Sequence, residues 1–322
     1  MILLAAVLAT LTTATPQPAG PVLVVVNKPA STVSVVALVS GQVLATLPTG
    51  TGPHEVAASA DGRWAVVTDY GAQTPGSSLT VVDLRSLTVA RTIALPANPR
   101  PHGVWFLPDN VTVAISSEAS QAVVLVDAAR GTITRTVPTG QALSHMVVAS
   151  RDGKRGFTAN VVPGTLSAMD LDTPGEPRVL KVGTMTEAIN ITPSNDQVWL
   201  GSNNTGKVYV VDLARWQVVD SLQTSGFPYR IGFTPDGAMA VVTNPQQEEV
   251  QVIDARTRAK LATVRVSGGP MGVAVAPDGS VAWITLAGTG QVAELDLRAH
   301  TVRRQLAVGA GPDGIAYANP TH

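Results

Sequence analysis

The chain has no cysteine in 322 residues, which excludes disulfide staples, thiolate nucleophiles and sulfur-ligated metals. Nor does either charge dominate: 22 Lys+Arg stand against 23 Asp+Glu, a formal net charge of -1. A nucleic-acid binder normally carries a clustered basic excess, so no nucleic-acid partner is expected. Aromatic residues, at 4%, are too few for a base-stacking platform. Charged residues make up only 14% against 45% hydrophobic, which suits a large core and argues against disorder.

Long apolar runs are also scarce. One opens the chain, MILLAAVLATLTTATPQPAG, and it falls short of the roughly 20 apolar residues of a membrane span. Its length and the small residues and prolines after it read as an export signal over residues 1–20, cut near Ala14. It lacks a basic start, so a disordered beginning of a cytoplasmic protein is the alternative. On the first reading, residues 21–322 form a single periplasmic or secreted domain with no membrane span.

What the sequence does contain is a repeat, and repeats decide architecture. The segments HEVAAS, HGVWFL, HMVVAS, EAINIT, YRIGFT, MGVAVA and DGIAYA begin at 54, 102, 145, 187, 229, 271 and 313. The third residue of each is β-branched: Val56, Val104, Val147, Ile189, Ile231, Val273 and Ile315. Such residues suit a pleated surface packed on both sides. After each segment comes a turn, often Asp-Gly (61–62, 152–153, 236–237, 278–279), then a second strand such as AVVTN at 240–244. A third strand ends in Asp (Asp83, Asp127, Asp170, Asp212, Asp254, Asp296), taken as a structural turn residue, and a fourth strand follows. Four antiparallel strands in about 42 residues make one propeller blade. The seventh unit holds only a first strand, while VLVVVN, TVSVVAL and QVLATL near the start read as second, third and fourth strands. The expected fold is an all-β, seven-bladed propeller in which the C-terminal strand joins three N-terminal strands, leaving no open edge.

The second-strand endings VVVN (24–27), FTAN (157–160) and VVTN (241–244), each shortly before a third strand of V-x-D type, resemble those of the YVTN-repeat propellers. These are YncE-like exported bacterial proteins, similar in turn to propeller lactonases. The resemblance covers the chain after the leader. It implies the propeller and an exported location; a DNA-binding member of the group would imply nucleic-acid binding, against which the balanced charge stands.

First strands line the axis, so their opening residues ring one mouth of the channel: His54, His102, His145, Glu187, Tyr229, Met271 and Asp313. The framework needs no ionisable group there. Three imidazoles and a carboxylate on consecutive blades, His54, His102, His145 and Glu187, form a candidate set for Zn, Fe or Cu. The plain alternative is a His copied with its blade and bonded to crossover backbone. One residue further in, Glu55 and Arg230 replace Gly103, Gly272 and Gly314. They are candidates, with Glu187, for acid/base work and anion clamping, or else a solvated rim pair. Tyr229, Met271 and Asp313 complete the mouth as ligand-binding candidates. Asp69, Tyr70, Glu118, Asn160 and Asn244, at or just after second-strand ends, are candidate ligand or imidazole partners. The longer stretch 70–78, YGAQTPGSS, is a candidate lid. If the ion were calcium, Glu187, Asn190 and Asp313 would be the better donors.

Other motifs fail. GAGPDG (309–314) precedes a strand rather than a helix, and GSNNTGK (201–207) is followed by Val208 where a phosphate loop needs Ser or Thr. No G-x-S-x-G elbow is present. Two functions are therefore expected: a monomeric binding propeller for a small molecule or metal ion, or a metal-dependent enzyme (lactonase-like hydrolase or non-haem oxidoreductase or lyase) using the same ring.

Overall fold

Seven four-stranded antiparallel sheets, six of them pairing their strands in sequence order, form the blades of a propeller. The computed structural model describes residues 17–173 and 175–321; most of the expected leader lies outside them. Among the described residues, no helix is long and apolar enough to cross a membrane.

Blade I closes the ring. Its inner strand is the C-terminal Pro312–Ala318, which pairs with Val22–Asn27, followed outward by Thr32–Ala37 and Val43–Pro48. Leu23 faces Tyr317 and Val25 faces Ile315 across that seam, so no strand edge remains along it. Blades II to VII follow in order, with inner strands Pro53–Ala58, Pro101–Phe106, Ser144–Ala149, Thr186–Ile191, Arg230–Phe233 and Pro270–Val275.

The core lies between blades, where Val and Ile from one sheet meet those of the next. Val56 and Val67 of blade II pack on Val24 and Val35 of blade I, and Val66 and Val81 pack on Val104 and Ile115 of blade III. Each fully buried side chain of this size contributes roughly 1.5–3 kcal/mol. Third-strand aspartates cap their own turns as expected: Asp83 Oδ1 accepts from the Arg85 and Ser86 amides, and Asp254 accepts from those of Arg256 and Thr257.

One feature of the inner strands positions the mouth. In blades II, III, IV, V and VII the pairing register shifts just inside the strand start, for instance between Pro53 and Val56 and between Pro101 and Val104. Such a bulge removes one residue from the ladder and re-aims side chains, so His54 and Glu55 both reach the axis. Amides at the inner-strand starts, that of Arg230 in the unbulged blade VI included, are caught by second-strand hydroxyls. Thr68 accepts from Glu55, Ser116 from Gly103, Thr243 from Arg230 and Thr285 from Gly272. Each hydroxyl then donates to the carbonyl of the next blade's mouth residue: His102, His145, Met271 and Asp313 respectively. This belt stitches neighbouring blades at the level of the ring.

Candidate metal and ligand site

The three histidines meet. His54 and His102 have ring centroids 4.0 Å apart, and His102 and His145 3.6 Å apart. Two groups of ligand atoms lie within 4.8 Å of one another: His54, Glu55 and His102, and His102, Glu118 and His145. His102 is common to both. A Cβ at Gly103 would come within 2.6 Å of the Val147 amide, so glycine there allows blade III to approach blade IV closely enough for the rings to stack.

The imidazoles differ in state because their partners differ. His145 Nδ1 lies 2.5 Å from Glu118 Oε1, and Nε2 lies 3.1 Å from Glu187 Oε1. Burial works against its charge, but the hydrogen bonds with the two carboxylates outweigh burial and raise its pKa, so protonation of His145 is favoured. Glu118 and Glu187 are pushed up by burial, and the facing His145 charge brings both below the usual carboxylate range. His102 is the opposite case. It is fully buried, both ring nitrogens lack a partner among the described residues, and burial, reinforced by the neighbouring cations, drives its pKa well down. It is neutral. His54 Nδ1 stands 3.3 Å from Asp313 Oδ2 and 3.5 Å from Glu55 Oε1, in directions that make no hydrogen bond.

Around this trio the mouth is densely paired. Tyr70 stands edge-on to both His54 and His102, centroids 5.3 Å away, and its hydroxyl donates to Glu118 at 2.8 Å. Burial, with Glu118, pushes that phenol up to about 12. Arg100 and Lys28 flank the Tyr70 ring. Tyr229 donates to Asp313 at 3.2 Å, and Lys28 Nζ reaches the same carboxylate at 3.4 Å. Asn203 donates to Glu187. Met271, on blade VII, offers only its carbonyl, to Thr243.

Several expectations change. Glu55 and Arg230 are neither a solvated rim pair nor free acid/base groups. Arg230 Nε donates to Glu55 Oε1 at 3.0 Å across the channel, and both are buried. Burial pushes the Glu55 carboxyl up, but Arg230 overcomes this and lowers it to about 2. Asp69 does not touch an imidazole; its carboxylate accepts from the Gly50 amide and the Ser78 and Thr80 hydroxyls. Asn160 likewise binds Thr165 and Ser167 inside its blade. Asn244 is fully buried, and its amide has no partner among the described residues. Asn190 ties to the Ile231 carbonyl instead of joining Glu187 and Asp313. Stretch 70–78 is no separate lid: Gly71 pairs with Pro75, which extends the hairpin past a bulge between Asp69 and Gly71.

Sequence reasoning missed Lys28, Arg100 and Asn203. Lys28 and Asn203 occupy the same register as Tyr70 and Glu118, each the residue after the column of Asn27, Asp69, Ser117 and Ser202, and that column was the available signal.

No protein-family model matches the chain, and no curated protein matches it. Solved structures do. A hydrazine synthase chain of Kuenenia stuttgartiensis superposes with TM-score 0.72 at 20% identity, over 82% of this chain and 89% of that one. The dihydro-heme d1 dehydrogenase NirN, in complex with DHE, gives 0.67 at 17% identity, over 89% of this chain and 63% of that longer one. A functionally unknown protein of Desulfotomaculum acetoxidans DSM 771 gives 0.76 at 14% identity, over 93% and 99%. At such identities the likeness concerns the fold alone. The chain folds as a propeller, and its mouth carries a buried His/Glu cluster with the donor types of a metal site.

Proposed function

We propose that this is an exported, monomeric propeller of the YVTN-repeat type that binds one divalent transition metal, Zn, Fe or Cu, at the His54–His102–His145 mouth. The observation that carries the reading is His102. A neutral imidazole has one N–H and one lone pair, and burying both without partners costs about 1–3 kcal/mol. A metal ion bound at the lone pair recovers the acceptor's share of this loss, and imidazole nitrogens with carboxylates suit those metals. His102 would be the central donor. His54 with Glu55, or His145 with Glu118 once the metal displaces the His145 proton, would complete the set, and Glu187, Tyr70 and Asn203 would hold the outer partners in place.

A bound ion of this kind supplies Lewis acidity or electron transfer. The enzyme reading, a metal-dependent hydrolase or oxidoreductase, is favoured by one observation: Glu187 is the most exposed carboxylate of the cluster, with 17% of its side chain accessible, and is hydrogen-bonded to His145. It stands where an incoming ligand would meet an acid/base pair.

Metal analysis of protein purified without an affinity tag is the test. The expected result is about one Zn, Fe or Cu per chain, lost in His102→Ala. Protein that stays metal-free after equilibration with all three ions would overturn the proposal.

A further inference from the structure

The opposite mouth of the channel has its own recess, of about 360 Å³, within the range of about 300–1,000 Å³ of small-molecule pockets. It spans the ends of four consecutive inner strands. Trp105 and Phe106 of blade III form one wall, and Ile191 and Phe233 of blades V and VI the other. Between them blade IV presents Ala149, where blades III, V and VI carry Phe106, Ile191 and Phe233. Among these four blades the one small residue opens a slot a single blade wide.

The next column shows the same departure. The turns after these strands place Pro108, Pro193 and Pro235 at the rim, and in that register blade IV has Arg151. Arg151 is exposed, and its guanidinium has no partner among the described residues.

The remaining polar side chains settle the ligand's polarity. Asn190 bonds the Ile231 carbonyl and the Ile191 amide. Asn195 Oδ1 accepts from the Arg151 amide. Ser150 donates to Asp152 and accepts from the Arg155 amide; Thr192 donates to Asp196 and accepts from the Gln197 amide. The side-chain acceptors of the lining are thus engaged. The lining side-chain groups without a partner among the described residues are all donors: the Trp105 indole N–H, the Asn195 amide N–H and the Arg151 guanidinium. Aromatic walls and free donors call for a flat apolar body bearing an acceptor group, and the one uncompensated charge makes that group an anion.

We propose that this mouth is a second binding site, separate from the His cluster, for small aromatic carboxylates or comparable aromatic anions. Calorimetric titration of the full chain with indoleacetate, indoleacetamide and tryptamine, three similar bodies of charge minus one, zero and plus one, tests it. Indoleacetate is expected to bind saturably and at least about tenfold more tightly than tryptamine. In Arg151→Gln the gap should close to within about threefold, and Ala149→Leu should weaken all three by filling the slot. Three equal affinities, no saturable binding, or a preference that survives in Arg151→Gln would each overturn the proposal. Arg151 is exposed, so its variant decides the matter even if Ala149→Leu fails to fold. His102→Ala should leave these affinities unchanged; a parallel loss would place the anion at the other mouth and overturn it too.

Discussion

Asp69→Asn should make the protein more stable, and by an amount that depends on pH. Asp69 is 1% exposed and sits where blade I has Asn27 and blade IV has Asn160. Asn27 Oδ1 accepts from the Gly309 amide, and Nδ2 donates to Thr32 and Ser34. Asp69 has the same surroundings: the Gly50 amide at 3.0 Å, Ser78 at 2.7 Å and Thr80 at 3.1 Å. An asparagine there inherits a complete set of partners. The native carboxylate is penalised by burial, which raises its pKa from 3.8 to about 6 against the opposing hydrogen bonds from Ser78, Thr80 and Gly50. Because the folded state holds the proton more tightly, wild-type stability falls as pH rises from about 4 to about 6. Two pKa units correspond to about 3 kcal/mol, fully present above pH 6 and absent below about 4. Asparagine avoids the charge, so Asp69→Asn should gain about 1–3 kcal/mol at pH 7.5 and close to nothing at pH 4. Urea unfolding across that range measures it, with the midpoint shifting at constant slope. A loss of stability at pH 7.5, or a gain equal at both pH values, would refute the reasoning.

Glu55→Gln leaves the Arg230 cation buried without its counter-charge and should cost about 3–5 kcal/mol, whereas Glu55→Leu/Arg230→Met together should recover most of it; similar losses for both in urea would contradict a buried ion pair. His102→Leu in metal-free protein should be neutral or stabilising by about 1 kcal/mol, because it removes an unsatisfied N–H. It should also flatten the acid side of the stability profile: wild-type His102 takes up its proton only on unfolding, so native stability drops as pH falls below 6.5. Deleting residues from Pro312 onward strips Val22–Asn27 of its inner partner, and cooperative unfolding should disappear from the urea transition monitored by circular dichroism.

The architecture was readable because it rests on periodicity. A β-branched residue at a fixed place in seven units, and a lone first strand at the end with three partners at the beginning, admit one closed arrangement, and the strands of blade I pair in that order. The mouth column was readable for the same reason: equal register in equivalent blades means equal height around one axis. Sequence reasoning therefore brought His54, His102, His145, Glu187, Tyr229 and Asp313 to one place, and the structure unites them. Where it failed, it treated similar positions as having similar roles. Asp69 and Tyr70 are adjacent in the chain, yet the first faces into its own blade and the second lies against the imidazoles, because successive strand residues point to opposite faces.

The repeat by itself thus determined the fold and which residues encircle the axis. It left undecided which of them pair. That Arg230 lies against Glu55 from 175 positions away, that His145 is clamped between two carboxylates while His102 has none, and that blade IV opens a slot at the far mouth were decided only when the ring closed. Charge state and pairing depend on distances of 3 to 4 Å between blades, and a linear pattern of residue types carries no such distances.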